Sequence, residues 1–285
     1  INKDGNIIAV GGRSVASDGG DWSYSGGGRV YQWDGTHWNQ LGDNLGPFDN
    51  LRGRASIVSL SDDGFTVAVG NAHAHGDDLG RTGIYRWDGS SWNQLGGDIE
   101  GEHSTNFAGR AVSLSGDGDV VAIGASLNDD AGTYSGHTRV FGWDGAAWNQ
   151  IGGDLDGEES YDESGVAVSL SNDATTLVIG GWGNDATGNN AGHARIYRYD
   201  GTDWQQSGSD IDGGAAGDQF GSFVAISGDS CTVAIGATEA ETTKKGYTRV
   251  YRSDTAPWLG LARDSESDGT PSAGADGDGA DEDGV

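Results

Sequence analysis

A twelve-residue phrase occurs four times along the chain, and its spacing restricts the folds available. "YQWDGTHWNQLG" at 31–42 returns as "YRWDGSSWNQLG" at 85, "FGWDGAAWNQIG" at 141 and "YRYDGTDWQQSG" at 197. A degraded fifth copy, "YRSDTAPW" at 251, keeps Asp254 and Trp258. Two other features keep step with it. One is "VSLSDDGFTVAVG" at 58, "VSLSGDGDVVAIG" at 112, "VSLSNDATTLVIG" at 168 and "VAISGDSCTVAIG" at 224, a register that advances by 54, 56 and 56 residues. The other is an arginine ahead of the aromatic strand, at Arg29, Arg139, Arg195 and Arg249. A period this long, holding several short strands, is the mark of propeller blades or solenoid turns.

Four strands fit inside one unit. Strand a alternates, as in "RAVSLS", and "SGDG" turns it into strand b, "VVAIGA". Strand b is apolar on both faces, as a strand covered on both sides must be. A variable Gly/Asp/Asn-rich loop leads to strand c, "TRVFGW", and the turn "DG" leads to strand d, "AWNQIG". No segment keeps a 3.6-residue period, so almost no helix is expected. Antiparallel four-stranded units repeated about an axis give an all-β β-propeller, with five recognisable blades.

Within that frame the tryptophans have a structural task. Asp34-Gly35 supplies the left-handed residues a tight hairpin needs, and Trp33 and Trp38 flank it. Pairing of such rings across two strands contributes about 0.5 to 1.5 kcal/mol. The same holds for Trp87/Trp92 and Trp143/Trp148. "INKDGNIIAVGG" matches "LSDDGFTVAVGN" residue by residue, so Ile1 falls at the end of a strand a. The expectation is a first blade cut short, in a piece of a larger propeller of about seven blades or of a longer polypeptide. The division expected is a propeller over 1–262 and an acidic Gly/Asp-rich tail over 263–285.

Charge excludes some partners. Asp plus Glu number 44 against 16 Lys plus Arg, a net charge of −28. Nucleic acid and anionic membrane surfaces would be repelled, and no apolar run is long enough to span a bilayer as a helix. Cys231 is alone, so no disulfide can form within the chain. The chain opens on Ile1 rather than Met, which is compatible with a removed leader.

"GAAGDQFGSFVAISGDSCTVAIGA" at 214–237 resembles the FG-GAP repeat of integrin-α-type propellers. Phe220-Gly221 stands for the FG, Gly236-Ala237 for the GA, and Thr238 where Pro is usual. "FAGRAVSLSGDGDVVAIGAS" from Phe107 is a second match, and the "YRWDG..W" half is similar to kelch repeats. The resemblance implies a propeller used for interaction or adhesion, outside the cell or on its surface. It also implies calcium in long a–b loops. Here those loops are cut to four residues, too short to wrap a cation that takes six to eight oxygens, and Asp63, Asp117, Asp173 and Asp229 read as turn formers.

Enzyme chemistry finds little footing, with no nucleophile elbow or zinc-type His-Glu motif. His137 and His193 sit at equivalent places before strand c and read as a feature of the repeat. The tail "DSESDG" puts Asp264, Glu266 and Asp268 at positions 1, 3 and 5 of a calcium loop. Ala275 stands at the twelfth position, so an acidic linker is the competing reading. The short a–b and c–d turns share one face, which leaves recognition of a protein or glycan to the b–c loops and d–a connectors opposite. The ligand-binding candidates there are Trp22, Tyr24, His73, His75 and Trp182, with Asp98, Glu100, Asp154, Asp156, Asp210 and Asp212 supplying negative charge. A lectin-like glycan binder and a structural subunit of an extracellular assembly are the alternatives.

Overall fold

A computed structural model describes residues 1–16, 23–51, 56–73, 79–238, 245–253 and 265–266. Every regular element among these residues is a β-strand, and the strands form five antiparallel sheets, one for each repeat. The propeller expected from the sequence is the observed architecture.

The third blade gives the pattern. Strand a is Ala111–Leu114, b is Val120–Ala125 and c is His137–Trp143. Strand d comes in two pieces, Trp148–Gln150 and Leu155–Asp156, both paired to c. Blade 2 (Ile57–Leu60, Thr66–Asn71, Arg81–Trp87, then Trp92–Gln94 and Ile99–Glu100) repeats it. Blade 4 does too, with Ala167–Leu170, Thr176–Gly181, His193–Tyr199, Trp204–Gln206 and Ile211–Asp212. Blade 1 has strands b, c and d (Ile7–Ala16, Ser23–Trp33, then Trp38–Gln40 and Leu45–Leu51). In blade 5, Phe220–Ile226, Thr232–Ala237 and Tyr247–Arg252 are joined at the outer edge by Ser265–Glu266.

The split of strand d is a departure from the single strand read in the sequence. At Gly152 the backbone turns left-handed, with φ of +77°, and four residues bulge out before Leu155 and Asp156 rejoin c opposite Thr138 and His137. The Gly-Gly step permits the excursion. Its effect is to bring Asp156 against the start of strand c.

Five blades bury four interfaces. One apolar cluster joins Ile7, Val30 and Leu45 to Val67 and Val69, and another joins Ala68 and Ile84 to Val121 and Ile123. Leu155 and Val140 meet Leu177 and Tyr197 in the third; Val178 and Ile196 meet Phe220 and Ile235 in the fourth. Strand b supplies residues to both of its faces, and in blade 2 all six are buried.

The repeated polar residues stitch these interfaces. Backbone N–H groups of Leu114, Leu170 and Ile226 donate to the hydroxyls of Ser59, Ser113 and Ser169 in the preceding blade. Arg139 and Arg195 donate to the Glu100 and Asp156 carbonyls, each at 2.7 Å. The Trp pairs flank the c–d turns as expected, with Trp33 opposite Trp38 at 5.5 Å between ring centroids and Trp143 opposite Trp148 at 5.4 Å. The a–b aspartates are turn formers: Asp117 accepts from the Ser115 hydroxyl (2.6 Å) and the Asp119 N–H (3.0 Å).

Candidate functional site

The b–c loops and d–a connectors meet on one face and are zipped together there. Between blades 3 and 4, the Tyr161 N–H donates to Thr133 O (2.8 Å), that of Glu163 to Tyr134 O (3.0 Å) and that of Ser164 to Ser135 O (2.9 Å). One blade on, Gly217, Gln219 and Phe220 donate in the same way to Asn189, Asn190 and Ala191. These loops therefore form a hydrogen-bonded rim. It holds non-glycine residues in the left-handed region, among them Tyr134 (φ 54°), Tyr161 (73°) and Glu163 (50°). Each costs about 1 to 2 kcal/mol, so the rim is shaped against local preference, as binding surfaces often are.

Two tyrosines stand out from it. Tyr134 and Tyr161 are 40% and 59% exposed, and their rings pack edge to face at 5.9 Å. The residues expected to bind there are placed differently. Trp182 is half-buried, and its indole N–H donates to Glu163 Oε2 at 3.0 Å. His73 is buried, with its ring edge-on to Phe107 at 4.6 Å. Tyr24 lies on strand c of blade 1, opposite Val15; Trp22 and His75 lie outside the described residues. In the tail, Glu266 pairs with Arg249 on the outer edge of blade 5, while Asp264 and Asp268 also lie outside the described residues.

At the rim end of strand c the fold assembles clusters that the sequence reading missed. His137 is 1% exposed. Its Nδ1 faces Glu102 Oε2 at 3.8 Å, Asp154 Oδ2 at 4.0 Å and Asp156 Oδ1 at 4.0 Å. His193, equally buried, faces Asp210 Oδ2 at 3.3 Å and Glu158 Oε2 at 3.9 Å. In blade 2 the same place on strand c belongs to Arg81, whose guanidinium meets Asp98 at 2.9 Å and Glu100 at 3.6 Å. In blade 5 it belongs to Tyr247, whose hydroxyl donates to Asp218 at 2.9 Å.

Each cluster shifts its titrations. Burial, helped by the Arg139 charge, pushes His137 down to about 4 in spite of Asp154. Burial and then the Asp154 charge raise Asp156. The contact from His193 holds Asp210 near 2, while burial raises Glu158, against the pull of the Arg195 charge and with the help of the Asp210 charge. Among the described residues, three groups bring an imidazole nitrogen and two carboxylate oxygens within 4.8 Å of one another: Glu102, His137 and Asp154; Glu158, Asp162 and His193; and His193, Asp210 and Asp212. One signal pointed to them: histidine at the same blade position twice.

Comparison with known proteins agrees with this architecture. The FG-GAP repeat family model matches residues 211–251, the end of blade 4 and most of blade 5. No curated protein matches the chain in sequence. Among solved structures, the β-propeller domain of the Trilobed protease from Pyrococcus furiosus is similar at a TM-score of 0.51 and 10% identity, over 88% of this chain and 67% of that one. A putative 6-phosphogluconolactonase from Bacteroides uniformis is similar at a TM-score of 0.51 and 14% identity, over 88% and 68%. At these identities the likeness concerns the fold alone.

The motif has a physical basis in the blades. A Cβ on Gly124 of strand b, or on Gly180 one blade later, would collide with the carbonyl oxygen of Gly165 or Gly221, the first turn into the next strand a. Gly165 and Gly221 themselves are left-handed, at +84° and +88°. One glycine gives room for the approach and the other makes the turn, which is why both recur. The chain is a β-propeller that carries an FG-GAP repeat.

Proposed function

We propose that the chain is a non-enzymatic recognition module, serving interaction or adhesion outside the cell or on its surface, and that it meets its partner with the loop rim. The observation that carries this reading is the Tyr134–Tyr161 pair. Two large, exposed rings are fixed against each other at the junction of two hydrogen-bonded loops, both in left-handed backbone. Rigid exposed aromatics present much contact area with little entropy left to lose on binding. The acids around them and the net charge of −28 favour a basic partner and speed its approach. The FG-GAP repeat supports an extracellular setting.

The same pair supports a second reading, a lectin-like site, since exposed aromatic rings suit stacking against sugar faces. Both readings are tested by one experiment. Wild-type chain, the double variant Tyr134→Ala/Tyr161→Ala and the opposite-face variant Trp33→Ala/Trp38→Ala are applied to immobilised extracellular-matrix proteins and to a glycan array. The rim variant should lose at least about tenfold in affinity, or 1.4 kcal/mol, and the Trp variant should keep it. Binding to protein should weaken with added salt; binding to the array instead selects the lectin reading. Loss in the Trp variant with retention in the rim variant contradicts both.

A further inference from the structure

We propose that Glu102, His137 and Asp154, and in the next blade Glu158, His193 and Asp210, form two binding sites for a divalent transition-metal cation of the zinc class. One lies where blade 2 meets blade 3, the other where blade 3 meets blade 4. The proposal stands apart from the recognition role of the rim.

The first argument is an unpartnered buried atom. Nδ1 of His137 makes no hydrogen bond although the residue is 1% exposed. It faces three carboxylates at 3.8 to 4.0 Å, too far for hydrogen bonding. Ligand atoms that each sit about 2.0 to 2.2 Å from one cation are separated by roughly 3 to 4 Å. Nδ1 of His193 lies 3.3 Å from Asp210 Oδ2, close enough to lower that carboxyl but without the alignment of a hydrogen bond.

The second argument is the supporting shell. Gln150 donates to Asp154 Oδ1 at 2.6 Å, which leaves Oδ2 directed at His137. Arg139 meets Glu102 Oε1 at 3.4 Å and leaves Oε2 to the site. The arrangement recurs with Gln206 on Asp210 (2.6 Å) and Arg195 beside Glu158 (3.8 Å). Groups that orient ligands in this way are characteristic of metal centres.

The third argument comes from the repeat itself. In blade 2 the equivalent acids, Asp98 and Glu100, are met by the fixed charge of Arg81. Blades 3 and 4 keep the acids but replace that arginine with histidine. A cation bound there would supply the positive charge that Arg81 brings to the acids of blade 2. Glutamate and histidine also occur together: Glu102 with His137 and Glu158 with His193. Where the histidine position holds Arg81 or Tyr247, the glutamate position holds Phe48 or Gly214.

The donor set selects the ion. One imidazole nitrogen with two or three carboxylate oxygens suits zinc or a neighbouring first-row ion. Calcium takes six to eight oxygens and no nitrogen.

The test is calorimetric titration of the tag-free, chelator-treated full chain with zinc chloride, with calcium chloride in parallel. Zinc should bind once at each histidine and raise the melting temperature. His137→Gln should lose one site, His193→Gln the other, and the double variant both, while the exposed His37→Gln keeps them. Cobalt(II) should give a ligand-field spectrum unlike that of the aqueous ion, lost in Asp154→Asn/Asp210→Asn if the glutamine variants fold poorly. Zinc uptake undiminished in the double variant, an aqueous cobalt spectrum, or calcium binding as tightly as zinc would overturn the proposal.

Discussion

The indole N–H of Trp148 in blade 3 donates to the carbonyl of Leu95 in blade 2, at 3.0 Å, and the bond recurs from Trp92 to Leu41 and from Trp204 to Ile151. Among the described residues, each strand-d tryptophan after the first thus ties its blade to the one before. Trp38, in the first blade, is 40% exposed. Trp148→Phe keeps an aromatic ring, smaller than the indole, and removes the donor, leaving a carbonyl without its partner. Chemical denaturation should show a loss of about 1 to 2 kcal/mol, against a few tenths for Trp38→Phe. Equal losses would remove the stitching role.

The glycine of strand b should be intolerant for a reason separate from backbone freedom. Gly124→Ala places a methyl group against the Gly165 carbonyl, and overpacking of this kind costs about 1 to 3 kcal/mol or more. Gly145, in the c–d turn, has nothing within 4 Å of an added Cβ, and its only obstacle is φ of +99°. Its alanine variant should cost about 1 kcal/mol. A Gly124 variant as stable as the Gly145 one would show that the close approach to the Gly165 carbonyl adds no cost of its own.

Arg81 should matter through the acids it faces. Arg81→Gln takes the guanidinium away from the half-buried Asp98 and the exposed Glu100, a loss of about 1 kcal/mol. Adding Asp98→Asn should restore part of it. A double-variant cycle with no coupling would separate Arg81 from that role.

The c–d turns should resist acid. Asp34 and Asp88 are held far below the ordinary carboxylate value of 3.8, first by the backbone N–H groups of His37 and Ser91. Asp144 and Asp200 are lowered by the same turn geometry. A carboxylate whose folded pKa lies below its unfolded one stabilises the fold above the unfolded value and loses that contribution as pH falls through the folded one. Carboxyl carbon shifts followed by NMR should place the Asp88 midpoint below 3.8; a midpoint at or above 3.8 contradicts the turn geometry.

The blades were legible because three phrases recur in one register, each tied to a local cause: Asp-Gly for the c–d hairpin, Ser-x-Asp for the a–b turn, and an apolar run for strand b. The second piece of strand d was not. Two residues after a Gly-Gly step carry no periodicity, and Asp156 reads as loop until its pairing with His137 is known. That the b–c loops and d–a connectors share a face follows from the strand order, but the candidate residues on it are chosen by type. Trp182 and His73 drew attention as large side chains in variable loops, whereas local contacts take up both. Tyr134 and Tyr161 come from different connections, and only the zipped loops bring them together. The histidine clusters draw on residues 102, 137 and 154, whose separation conceals them until strands and connector converge.

The central claim, that recognition belongs to the loop rim, is tested most directly by hydrogen exchange on the full chain bound to whichever matrix protein or glycan it retains. Bound partner should slow exchange over residues 126–136 and 157–163, around Tyr134 and Tyr161, and leave the c–d turns at 34–37, 88–91 and 144–147 unchanged. Protection confined to those turns, with the rim exchanging as in the free chain, would contradict the account.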